Sequence, residues 1–184
     1  MKDKIGLSML LFIASESVFF VLLIIAFVVY HSMTGNTAEA ASHLDKYKAG
    51  IFTIFLFSSS YTVWRAGINR RLGRRRATLI WLGITILFGA IFLTGQTLEY
   101  RYLIFQSVTI SRDLFGTTFF TLTGFHGLHV FTGLIMLSIV LGINYYRRPN
   151  GSQLQAGEAV SMYWHFVDAV WIIIFPVVYL WGTL

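Results

Sequence analysis

Five apolar stretches, about 5–30, 49–68, 78–98, 118–143 and 159–184, follow one another along a chain of 184 residues. Each is close to or beyond the ~17–25 residues that an α-helix needs to cross a hydrocarbon core about 30 Å thick. Lipid offers no water to satisfy a bare peptide group, so such segments fold as helices that close their own hydrogen bonds. The expected architecture is therefore all-α, a single polytopic bundle of five transmembrane helices occupying 1–184. Composition agrees with this. Charged residues make up 12% and apolar residues 56%, whereas a soluble domain carries about 25% charge. The chain has too little polar surface to clothe a water-soluble globule. Lys2 and Lys4 precede the first apolar run as they would in a signal peptide. That run, however, far exceeds an h-region of about 7–15 residues and contains Glu16. It is read as a retained helix.

The loops set the orientation. Lys2, Lys4, the cluster from Arg65 to Arg76, and Arg147 and Arg148 fall on one side and supply ten basic residues; Lys46, Lys48, Arg101 and Arg112 on the other supply four. The positive-inside rule places the N-terminus in the cytoplasm and the C-terminus outside, in a multi-pass protein of a bacterial-type inner membrane. The net charge of +6 comes from that clustering and does not indicate a nucleic-acid partner. The sequence has no cysteine, which removes disulfides, thiolate copper sites, iron–sulfur clusters and CxxCH haem attachment.

Trp64, Trp81, Tyr100, Tyr102, Tyr145, Tyr146, Tyr163 and Trp181 lie near span ends, as interfacial anchors do, while Trp164 and Trp171 suit core packing equally well. Ser58, Ser59 and Ser60 in the second span, Gly83 and Gly89 in the third, and Thr121, Thr123, Gly124, Gly127, Thr132 and Gly133 in the fourth are the small and hydroxylated residues through which helices pack in lipid. Arg65 is expected to snorkel outward, and Pro176 to kink the fifth helix.

Ionisable residues at membrane depth are costly and need partners. Glu16 stands eleven residues into the first span, about 16 Å deep, and its helical neighbours Phe12, Ile13, Phe19 and Phe20 cannot pair with it. His126 and His129 share a face of the fourth helix. His129 lies about 16 Å in from Thr118, at the level of Glu16. An approach of Glu16 to His129 is expected, with Thr123 or His126 adding hydrogen bonds. His165 and Asp168, also three apart, can bond each other or share a partner, most simply as structural glue. Haem ligation is disfavoured, because bis-imidazole ligation needs histidines on facing helices at matched depth.

The motifs resemble those of a known family. GLSMLLFIASESVFF (6–20), SSSYT (58–62), GQTLEY (95–100), FFTLTGFHGLHVFTG (119–133) and YWHFVDAVWIIIFPVVYLWG (163–182) look like helices of subunit III of the haem-copper oxidases, above all TGFHGLHV taken with YWHFVD. Gln96, Glu99, Gly124, Phe125, Gly127 and Trp164 belong to these motifs. The resemblance covers nearly the whole chain and corresponds to the five-helix part of larger, seven-helix members. It implies an all-helical subunit without redox cofactors of its own and with phospholipid bound against it. Haem and copper would reside in partner subunits: subunit I, against which it packs, subunit II and other oxidase subunits, within a larger respiratory assembly in some cases. It also implies a role in sustaining proton uptake and protecting the complex during turnover. Glu16 matches the family's carbodiimide-reactive membrane glutamate, which has a proposed link to proton handling. FIASESVFF leans toward a cytochrome c oxidase over a quinol oxidase. A dihaem cytochrome b anchor and a small proton-coupled transporter using Glu16 and Asp168 are the alternatives of other classes; the transporter lacks support from inverted repeats.

Overall fold

A computed structural model of the chain describes residues 2–33, 45–106, 114–146 and 151–181. Arg112, Arg147 and Arg148, counted above, and the end of the fifth expected span, 182–184, lie outside these residues, as do the side chains of Lys2 and Lys4. The described residues form five α-helices: α1 (Lys2–Met33), α2 (Lys46–Arg71), α3 (Arg75–Phe105), α4 (Leu114–Tyr146) and α5 (Gly151–Phe175). Pro176 has no N–H to donate to the preceding turn, and the chain continues over Pro176–Leu180 as a turn of π-helix.

Four helices are long and apolar enough to cross a membrane: Ile5–Ser32, Arg75–Phe105, Phe115–Tyr146 and Gly151–Leu180. The second helix falls below that level of hydropathy, for a reason visible in its contacts. Its hydroxyl residues Thr53, Ser59 and Thr62 are buried and face neighbouring helices. Thr53 Oγ1 accepts from Trp171 Nε1 at 2.9 Å, Ser59 Oγ accepts from Trp164 Nε1 at 2.9 Å, and Thr62 and Thr85 share a hydroxyl bond of 2.8 Å.

The bundle closes as a ring in which α1 touches α4 and α5, α4 touches α3, α3 touches α2 along its length, and α2 touches α5. α5 also packs on α4 and is the centre. Half of its most apolar window is buried, against 11% for α1, which lies at the edge.

Helix ends are tied off chemically. Asp45 caps α2, accepting from Lys48 N at 3.1 Å and pairing with Lys48 Nζ at 2.9 Å; that cation lowers the exposed carboxyl's pKa. Between α2 and α3, Gly73 adopts φ +69°. Its N–H bonds the Arg70 carbonyl, and the Arg74 N–H bonds the Asn69 carbonyl at 2.9 Å. This is a Schellman closure, which favours glycine at the left-handed position. Arg75 then reaches across to the C-terminal end of α4, donating from Nε to the Asn144 carbonyl at 2.8 Å and from Nη2 to the Tyr145 carbonyl. A cation there satisfies orphan carbonyls and complements the helix dipole. Arg75→Gln is expected to cost about 0.3–1 kcal/mol and to speed amide hydrogen exchange over the last turn of α4 without affecting α1.

Several residues sit differently from the sequence expectation. Tyr163 is 2% exposed and donates its hydroxyl to the His129 carbonyl at 3.1 Å. It is a core residue, not an interfacial anchor. Tyr100 likewise turns inward, sharing a 2.7 Å bond with Thr123 Oγ1. Gly83 has nothing within 4 Å of where a Cβ would stand, and the exposed Thr132 bonds its own helix at Leu128 O. Ser58 also bonds its own helix, at Ile54 O. Arg65 lies over the Trp81 ring at 5.6 Å. Trp164 and Trp171 are core residues, at 0% and 2% exposure.

Candidate functional site

Three helices converge on Glu16. From α4, His129 Nε2 lies 3.1 Å from Glu16 Oε2, and both side chains are largely covered, at 13% and 22% exposure. His129 Nδ1 is 2.7 Å from the carbonyl of Phe125, one turn back on α4. A carbonyl only accepts, so Nδ1 carries a hydrogen. The atom facing Glu16 is then either a protonated Nε2 against a carboxylate or a bare Nε2 against a carboxylic acid. In both forms the two side chains share one proton, and the pair carries no net charge. α5 supports the assembly through the Tyr163 hydroxyl on the His129 carbonyl. Phe20 closes it from α1, its ring centroid 4.9 Å from that of His129, and Phe19 packs against Phe125 at 5.1 Å.

The expected additions to this pair are not made. Thr123 bonds the Phe119 carbonyl and Tyr100. His126, fully buried, stacks on Trp171 at 4.7 Å and meets the rings of Phe92 and Phe20 edge-on; neither of its nitrogens has a hydrogen-bond partner. The 100° step per helical residue turns it to the α5 side of α4, while His129 looks toward α1.

A second polar cluster joins α2 to α5. Ser60 Oγ is 3.0 Å from His165 Nδ1 and donates to Asp168 Oδ2. His165 and Asp168 thus share a partner instead of bonding each other. The sequence marks Ser60 only as a small packing residue, one of three consecutive serines, and nothing in that local pattern signals a bridge to a residue 108 positions away.

The remaining motif residues brace the bundle. Gln96 Nε2 donates to the Thr123 carbonyl at 2.7 Å, and its Oε1 faces Gly127, where an added Cβ would lie 2.7 Å away. Gly124 lies beside the Tyr100 hydroxyl. Trp164 lies between Gly89 and Gly133. Glu99 accepts from the Tyr179 hydroxyl at 2.5 Å, a link that sequence spacing did not suggest. Glu99 and Tyr179 line a cavity of about 1130 Å³ with Phe52, Phe92 and Trp171. Among the described residues no three His, Asp or Glu side chains gather closely enough to hold a metal ion.

Comparison with known proteins matches residues 1–183 to the family described as cytochrome c oxidase subunit III. The chain is 34% identical over 177 residues to a probable cytochrome c oxidase subunit 3 of Mycobacterium leprae, covering 96% of this chain and 88% of that protein. It is 37% identical over 175 residues to cytochrome c oxidase subunit 3 of a Synechocystis strain, covering 92% and 72%. It is 36% identical over 187 residues to the Corynebacterium diphtheriae protein of that name, covering 96% and 88%.

Proposed function

The chain belongs to the cytochrome c oxidase subunit III family, and from that premise we propose that it is a supporting subunit of a bacterial cytochrome c oxidase, without a redox centre of its own. The observation that carries this reading is the extent of the match, which takes in all five helices and both polar clusters. In this reading the chain crosses the cytoplasmic membrane five times, N-terminus inside. α2 has the length for it, since 26 residues rise about 39 Å, and its hydroxyls are turned inward. Haem and copper reside in the partner subunits, chiefly subunit I, on which this subunit packs. Support comes from His129, whose two nitrogens are both engaged, one by the Phe125 carbonyl and one by Glu16.

The work assigned to the chain is to keep its catalytic neighbour supplied with protons and intact during turnover. The Glu16–His129 pair is the group suited to the first task, because its shared proton can shift between two atoms 3.1 Å apart without creating net charge in lipid.

Affinity purification through a tag on this chain tests the reading. Haem and copper should co-purify in fixed proportion, with an oxidase spectrum on reduction. Deleting the chain should leave initial oxygen reduction in place while activity decays faster during turnover. A tagged chain that purifies free of haem-bearing subunits would overturn the assignment.

A further inference from the structure

Ionisable side chains in the middle of an apolar span normally turn inward, because hydrocarbon offers them no partner. Glu16, His126, His129 and Asp168 do so. His165 does not. It is the fifteenth residue of the 30-residue stretch Gly151–Leu180, and its side chain is exposed on the surface of the bundle. Among the described residues, no other ionisable group in the middle of the four apolar spans is exposed.

The bonds of His165 sharpen the point. Its Nδ1 is engaged by Ser60, and Ser60 by Asp168. Ser60 gives its one hydroxyl hydrogen to Asp168, so it accepts from His165 Nδ1, and the neutral imidazole is left with a bare Nε2 that can only accept. Lipid headgroups do not reach it, since His165 is about 21 Å along the helix from Gly151 and an imidazole is too short to snorkel. Met162, Ala169 and Ile172, one or two turns away on the same stripe of α5, are exposed as well, as are Phe57 and Trp64 one turn either side of Ser60 on α2. The seam thus presents a largely apolar ridge with the unpaired Nε2 of His165 at its centre, and Ala169 leaves room for another backbone to approach.

We propose that the α2–α5 seam centred on His165 is the docking face for a transmembrane helix of a partner oxidase subunit, which brings a hydroxyl or amide side chain to His165 Nε2. This rests on the reading of the chain as an oxidase subunit.

The intact complex in its native membrane provides the test. A photoreactive benzoylphenylalanine at position 165 should form a covalent adduct with another oxidase subunit, identified by mass spectrometry; an adduct with lipid alone would overturn the proposal. In parallel, His165→Leu should lower the fraction of this chain retained by the detergent-purified oxidase about threefold, the size of one interhelical hydrogen bond in lipid. His165→Gln, which keeps a hydrogen-bonding head, should restore it. Retention of His165→Leu at or above the wild-type level would count against the docking face. If wild type co-purifies with haem while these tests fail, the face is wrong and the subunit assignment stands. If wild type carries no haem-bearing partner, the assignment itself falls.

Discussion

Gly89→Ala should lower the stability of the bundle by about 1–3 kcal/mol, although it adds a single methyl group. A Cβ at Gly89 would stand 2.7 Å from Cη2 of Trp164 and 2.8 Å from Cδ2 of Leu134. The indole has no room to retreat. On its other flank a Cβ at Gly133 would come within 2.8 Å of Cε3, and its Nε1 is tied to Ser59 at 2.9 Å. Trp164 therefore reaches from α5 to α2, α3 and α4 at once, and a close-packed interior transmits the displacement to all of them. Denaturant titration in detergent, followed by circular dichroism, measures the loss. Trp164→Phe should recover part of it in the Gly89→Ala background, since the smaller ring leaves space and Ser59 keeps its bond to the Leu56 carbonyl at 2.5 Å. The two substitutions are in contact and should be strongly non-additive. Additive effects, or a Gly89→Ala protein as stable as wild type, would show that the indole is not wedged.

His129→Leu should destabilise the bundle by about 1–3 kcal/mol, while Glu16→Gln should leave assembly near wild type. The asymmetry follows from the hydrogen on Nδ1. With that hydrogen committed to the Phe125 carbonyl, a neutral His129 presents a bare Nε2, to which a glutamine amide at position 16 can donate. Leucine at position 129 instead strands the Glu16 carboxyl among Phe19, Phe20 and Tyr163 with nothing to bond. Thermal unfolding of the purified chain separates the two variants, and the double replacement Glu16→Leu with His129→Leu should recover much of the loss, because removing both partners leaves no orphan. Glu16→Gln should nevertheless slow proton uptake by the assembled oxidase, as the amide cannot exchange the shared proton. Equal stability of His129→Leu and Glu16→Gln would show that the pair contributes nothing to the fold.

Axial position along each helix is legible from the sequence alone. An apolar run long enough to span must be helical, and a helix rises a fixed 1.5 Å per residue. Counting from the span ends therefore puts Glu16 and His129 at one level, where their side chains meet at 3.1 Å, and the motifs around them mark the family. Azimuth and neighbour choice were decided only by the tertiary structure. His126 was on the sequence's short list for Glu16 yet stacks on Trp171; Tyr163 looked interfacial and is buried; Ser60 looked like packing and bridges His165 to Asp168. A helix's own sequence fixes how far along the axis a side chain lies. Which residue it meets depends on how the helices rotate and approach until their large side chains fit beside glycines, and that is a property of the packed set of helices that no single segment contains.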